Sequence, residues 1–284
     1  MSLKKSIKKV LAQLTCKISK RLYINLSYLH NRGKLPNIKH PTDLSEIIYN
    51  EILSGEINKY TPYVDKLKVR EFIEEWGYSD ILPKVYGIYN KFEDIDFSIL
   101  PEKFAIKTNH GCGGHCFCID KSTFDIETAR TTIEKTMNTV FGTTETQYHT
   151  IKPKIYCEEF IEDKIGQLPT DYKFMCCDGI VKCILIVSER NNDDYKLYAY
   201  SVDWEPLDYI RGKHIGTDGV EKPVNFDRML EISKDIAKKF PHVRVDLYDS
   251  GDRIYFGELT FTPQGGIMSY FTNEALVKLG HFNN

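Results

Sequence analysis

Two acids near the C-terminal end of the chain stand where a divalent metal could be held between strands. Val243-Arg244-Val245-Asp246-Leu247-Tyr248 alternates apolar and polar residues, and Tyr255-Phe256-Gly257-Glu258-Leu259-Thr260 follows. Asp249-Ser250-Gly251-Asp252 between them is a hairpin signal. Strand side chains alternate, so Arg244, Asp246 and Tyr248 share one face, and Glu258 and Thr260 share a face of the partner strand. The hairpin can therefore bring Asp246 and Glu258 side by side with a cation nearby. Paired carboxylates repel unless a proton, an arginine or a divalent ion lies between them. Oxygen ligands of this kind suit Mg²⁺. A cross-strand ion pair of Arg244 with Glu258 is the competing reading; it accounts for the charges but not for an acid on each strand. If the two acids repel, Glu258→Gln should leave stability nearly unchanged or raise it.

The second constellation is Phe104-Ala105-Ile106-Lys107-Thr108-Asn109-His110-Gly111-Cys112-Gly113-Gly114. Glycines let backbone N–H groups approach phosphate oxygens, and a lysine at the end of an apolar strand adds a point charge. This is not a Walker A loop, because no Gly-Lys-Ser/Thr follows and residues 115–119 read as another strand. A plain β-turn with an exposed lysine is the alternative. His110, Cys112, His115, Cys116 and Cys118 also invite zinc. Their spacing is not the paired Cys-x₂₋₄-Cys form, and Cys116 and Cys118 suit core positions of a strand.

These groups need strands to hold them. Short β-rich runs are expected over 84–89, 104–108, 115–119, 155–161, 172–177, 181–187, 243–248 and 254–261. Apolar residues at three- and four-residue steps predict an amphipathic helix over 3–29, ended by Asn31-Arg32-Gly33. Further helices are expected over 43–53, over 64–76, after an Asp125 N-cap to about Val140, and over 226–240. Helices and strands that do not alternate regularly imply an α+β fold.

Of the 284 residues, 42% are hydrophobic, enough to bury one large core or two smaller ones. No apolar run approaches a membrane span, and the N-terminus lacks the pattern of a signal peptide. Eight cysteines, two of them adjacent, suit reduced thiols and a cytoplasmic setting better than a disulfide scaffold. Charge is uneven: residues 1–42 hold ten Lys or Arg and no acid, and the remainder holds 28 basic and 40 acidic residues. The basic segment can pack on the acidic body, lie on an anionic membrane surface through residues 1–30, or bind nucleic acid. No platform of interleaved basic and aromatic residues supports nucleic acid as a partner.

Taken in order, these motifs resemble the TupA-like ATP-grasp family of bacterial surface-polysaccharide gene clusters. The residues that carry the resemblance are Asp65-Lys66 with Val69-Arg70-Glu71, and Lys107-Thr108-Asn109-His110-Gly111. Cys157-Glu158-Glu159-Phe160-Ile161 and Asp171-Tyr172-Lys173-Phe174 follow, then the two hairpin strands around Asp246 and Glu258. The resemblance spans about residues 30–282. It implies a helical N-terminal region over 1–60 and an ATP-grasp domain over 61–284, with a phosphate-binding lobe at about 104–160 and a metal-binding lobe at about 161–284.

It also implies roles. Lys107 would contact the α- and β-phosphates while His110, Gly111, Gly113 and Gly114 close over them. Glu158, Glu159 and Phe160 would form the adenine-reading hinge, with Glu159 toward the ribose. Arg70 or Lys66 would reach the nucleotide from the preceding helix. Asp246 and Glu258 would hold Mg²⁺, Arg244 would face the transferred phosphoryl group, and Lys173 would add a further cation. Thr260 stands where the family pattern has asparagine; a hydroxyl can still coordinate the metal. The implied reaction is ATP-dependent amide formation between an amine and a carboxylate, small or polysaccharide-linked. A sugar transferase or an ATP-grasp kinase is the alternative.

Overall fold

The computed structural model describes residues 14–163, 166, 168–191 and 194–280. Residues 14–18 are helical, but Ser19 is extended at φ −158° and ψ 115°. Its hydroxyl accepts from Leu22 N at 3.2 Å and so starts a new helix, α1 (Lys20–Arg32). The continuous helix expected over 3–29 is thus broken at Ser19, where a side-chain cap competes with further winding. Its first part, 3–13, lies outside the described residues. Gly33 closes α1 at φ 74°, as the sequence predicts.

Next comes α2 (Leu44–Ser54), capped by Asp43, which accepts from Glu46 N at 2.9 Å. The helix expected over 64–76 is two pieces, α3 (Thr61–Val64) and α4 (Lys68–Glu75). Asp65 interrupts them at ψ 111°, and its carboxylate accepts from Leu67 N at 2.9 Å. This break takes Lys66 off any helix surface and lets it reach across the molecule.

The smaller sheet holds β1 (Val85–Tyr89), β2 (Phe104–Thr108), β3 (Cys116–Cys118) and β4 (Ile155–Glu159) in the order β1-β4-β2-β3, all antiparallel. Helix α5 (Ile126–Met137), N-capped by Asp125 as expected, covers it, and Phe104, Ile106, Ile133, Ile155 and Cys157 fill the layer between.

The larger sheet holds β5 (Asp171–Cys177), β6 (Ile180–Asn191), β7 (Asp194–Tyr200), β8 (His242–Asp249) and β9 (Ile254–Thr260) in the order β7-β6-β5-β8-β9. It is also antiparallel. Helices α6 (Phe226–Ala237) and α7 (Asn273–Gly280) pack on it. Its core includes Phe174, Val245, Phe261 and Leu276 and runs without a gap into Ile24, Tyr28 and Ile48 of α1 and α2. The N-terminal helices therefore share the core of the larger lobe. Two sheets, each covered by helices, make the α+β architecture that the sequence implies.

Candidate active site

The face of the larger sheet away from its core carries a balanced set of charges. Asp246 on β8 pairs in register with Lys173 on β5 and with Glu258 on β9. The register shifts here, so that Leu247 faces Phe256 while Asp246 faces Glu258, leaving Gly257 as the extra residue of a bulge. A Cβ at position 257 would lie 2.9 Å from the Tyr248 ring and 3.0 Å from the Asp246 carbonyl, so the bulge needs glycine.

Every carboxylate oxygen of the Asp246–Glu258 pair meets a cation. Arg244 donates from Nε to Asp246 Oδ1 and from Nη2 to Asp246 Oδ2, both at 2.6 Å, and from Nη2 to Glu258 Oε1 at 3.1 Å. Lys173 donates to Asp246 Oδ2 at 2.5 Å and pairs with Asp171 at 2.7 Å. Lys66 donates to Glu258 Oε2 at 2.7 Å. The Thr260 hydroxyl donates to Glu258 Oε1 and accepts from Arg244, both at 3.0 Å. Burial works to raise the Glu258 carboxyl, but Lys66, Arg244 and Lys173 outweigh it and hold the group well below the usual carboxylate range. Burial pushes Asp246 up, with Arg244 and Lys173 pulling against it. The competing sequence reading, a cross-strand ion pair of Arg244 with Glu258, is therefore present in the structure.

The smaller sheet supplies the facing wall. Lys107, at the end of β2, pairs with Glu158 of β4 at 2.5 Å. Between the walls lies a cleft of about 360 Å³. Lys66, Arg70, Lys107, Glu158, Glu159, Phe160, Lys173, Asp246 and Glu258 all line it. Arg244 and Thr260 bind the two acids without lining the cleft themselves.

Some candidates have other duties. Glu159 accepts from Lys84 N at 3.0 Å and from the Tyr255 hydroxyl at 2.9 Å, fastening the hinge strand to β9. Glu158 lies mid-sheet with register partners Val85 and Ala105 on either side, so Phe160 and Ile161 are the first residues beyond the ladder. Arg70 donates to the Pro83 carbonyl at 2.6 Å.

His110 does not line the cleft. It is buried edge-on to Phe141, 5.2 Å between ring centroids, and burial lowers its pKa. Its place at the cleft is taken by Cys112 and His115. Cys116 Sγ turns to the Ala129 carbonyl and Cys118 Sγ to the Glu102 carbonyl. Gly111, Gly113 and Gly114 all have positive φ, between 67° and 74°, which keeps the loop in a form that favours glycine.

Sequence reasoning quoted Asp171 within a motif but gave it no role; its spacing of two from Lys173 on one strand was the available signal. It also missed the apolar lining of Phe117, Leu168 and Phe256, for which the sequence offers no local sign.

The cleft lies between the two sheets and is lined by cations and acids from both. Among solved structures, the chain is similar to D-alanine–D-alanine ligase from Bacillus anthracis complexed with ATP, at 16% identity and a TM-score of 0.44 over 71% of this chain and 56% of that one. It is similar to an L-amino acid ligase from Bacillus licheniformis at 14% identity and a TM-score of 0.41, over 73% and 44%. For D-alanine–D-alanine ligase from Helicobacter pylori the values are 14% and 0.40, over 77% and 60%. The chain thus spans little more than half the length of the first of these, and no curated protein matches it. The sequence model of the TupA-like ATPgrasp family matches residues 46–282, more than four-fifths of the chain, including every residue of the charged wall and its opposite lysine. On that match, the chain belongs to the TupA-like ATP-grasp family.

Proposed function

We propose that the chain is an ATP-dependent carboxylate–amine ligase acting in bacterial surface-polysaccharide assembly. The observation that supports it best is the two-walled cleft, with Lys107 and Glu158 on one side and the Lys66, Lys173, Arg244 and Asp171, Asp246, Glu258 set on the other. Membership of the ATP-grasp family brings ATP and Mg²⁺ as cofactors.

The residues fit a Mg²⁺ ion. Asp246 and Glu258 offer acceptor-only oxygens at one end of the cleft, and the Thr260 hydroxyl, outside the lining, bonds Glu258. The cations that now hold these oxygens have triphosphate oxygens as their alternative partners. Bound there, Mg²⁺ supplies neutralisation of the charge on the transferring phosphoryl group.

The chain's own groups position the reactants. Lys107 and Lys66 meet phosphate oxygens from opposite walls. Arg244, behind the cleft wall, bonds both Asp246 and Glu258 and so holds the two acids in place at that end of the cleft. Lys173, held between Asp171 and Asp246, adds positive potential at the same end. In the first step a carboxylate oxygen of the substrate attacks the γ-phosphorus and ADP leaves. The amine then attacks the acyl carbon, phosphate leaves with the C–O electron pair, and the amine loses a proton. The carboxylate is a uronic acid or amino acid unit, small or polymer-linked, and the reaction runs in the cytoplasm. The resemblance to the TupA-like family is what points to this substrate class.

A panel of carboxylates and amines with MgATP tests the reading. ADP release should require both substrates, and ¹⁸O in the carboxylate should appear in the released phosphate. ADP release with a stable phosphate ester would make the protein a kinase. Thermal stabilisation by UDP-sugars but not by MgATP would replace the ligase with a glycosyltransferase.

A further inference from the structure

The core uses one face of α1, and among the described residues the other is exposed. Ile24 and Tyr28 are fully buried, and Arg32 beside them donates to the carbonyls of Ile267, Met268 and Phe271 at 2.5, 2.8 and 2.7 Å. On the opposite side Leu22, Leu26 and Leu29, at steps of four and three, are 45%, 51% and 43% exposed. Leu14 and Ile18, before the break at Ser19, and Leu35, after Gly33, are exposed as well. The charged residues of this stretch of sequence are of one sign. Lys17, Lys20, Arg21, Lys34 and Lys39 all face solvent, and the first acid of the chain is Asp43.

A helix face meant for water carries polar residues, mixed in sign; this one presents leucines on a helix that carries no acid. Three surfaces could cover it. The protein's own core already occupies the other side. A second copy packed symmetrically through this same face would set cations against cations, with no acid in residues 1–42 to pair them. A surface that is anionic outside and apolar beneath answers both features at once. No described helix is long and apolar enough to cross a membrane, so the contact would lie along the surface.

We infer that α1 docks on an anionic phospholipid bilayer. Leu22, Leu26 and Leu29 enter the headgroup–acyl boundary while Lys17, Lys20 and Arg21 meet lipid phosphates. Because Arg32 ties α1 to the turn that follows β9, docking fixes the catalytic sheet relative to the bilayer. The inference rests on this face alone and is independent of the reaction.

Co-sedimentation of the full chain with vesicles tests it. The protein should pellet with phosphatidylglycerol-containing vesicles at low salt, weakly with pure phosphatidylcholine, and lose binding as salt rises. Leu22→Asp with Leu26→Asp should abolish binding at an unchanged melting temperature, since both side chains are exposed. Lys17→Gln with Lys20→Gln and Arg21→Gln leaves the apolar face intact and should lower the partition coefficient about fivefold per charge. Three results would each overturn the inference. These are no sedimentation at low salt, equal binding to neutral and anionic vesicles, and a wild-type dimer that the leucine substitutions dissociate.

Discussion

Replacing Glu258 by glutamine keeps its shape and removes one charge from a balanced set. Lys66, Lys173 and Arg244 then face only Asp171 and Asp246. The Lys66 ammonium, 2.7 Å from the lost carboxylate and 12% exposed, is left without its acid. Removing one partner of a fully buried pair costs about 3–5 kcal/mol. Glu258 is 32% exposed, so water reaches the gap and the cost falls to about 1–3 kcal/mol. The expectation from the sequence, that the change would relieve repulsion, is therefore overturned: the surrounding cations already neutralise the two acids. In a Lys66→Met background the same change should cost less, giving a coupling energy of about 1–2 kcal/mol in a double-mutant cycle. The sign of the pH dependence follows. Glu258 is held below its unfolded value, so its contribution is present above about pH 4.3 and is lost as pH falls through the folded value. At neutral pH, turnover of ATP by Glu258→Gln should fall at least about 10²–10³-fold, because charge on the phosphoryl group loses its counterion site. Urea melts of the four cycle members and ADP release on the same samples decide the matter. Additive stability effects would refute the Lys66–Glu258 coupling, and near-normal turnover by the folded variant would refute the metal assignment.

Two further outcomes follow from the same geometry. Gly111 and Gly113 share φ values of 70° and 74°, but a Cβ on Gly111 would lie 2.1 Å from the Phe141 ring, whereas nothing lies within 4 Å of one on Gly113. Gly113→Ala should cost only the left-handed penalty, about 1–2 kcal/mol, while Gly111→Ala should cost more and weaken MgATP binding; equal effects in titration calorimetry would deny the loop its packing role. Glu46 and Glu51 are both held below the usual range, because backbone N–H groups of Asn37 and Thr42, and His242, Lys59 and Tyr60 respectively, outweigh burial. Their stabilisation is present above about pH 4.3 and lost below it, so the urea midpoint should drop between about pH 5 and pH 3, less steeply in Glu46→Gln; a flat midpoint would contradict it.

The elements were legible where pattern is local. β2 and the Asp125 cap fall where alternation and capping chemistry put them. The breaks at Ser19 and Asp65 were not, because periodicity reports which face is apolar and says nothing of a side chain that caps the next turn. β7 went unread because a run of polar residues, from Ser188 to Asp194, precedes its alternating part.

At the cleft, several of the residues named from the sequence come together, but their partners were not legible. Lys66 lies 192 residues from Glu258, and no local signal spans that distance. The hairpin shows the limit most clearly. Counting from the turn, Asp249 faces Ile254, Tyr248 faces Tyr255 and Leu247 faces Phe256. One more step would set Gly257 opposite Asp246 and turn Glu258 toward Val245 and the core. The bulge adds a residue and returns Glu258 to the side of Asp246. Alternation alone would therefore have separated the two acids that the fold brings together. The only trace of the correction in the sequence is the glycine between Phe256 and Glu258, which the Tyr248 ring and the Asp246 carbonyl leave no room to replace.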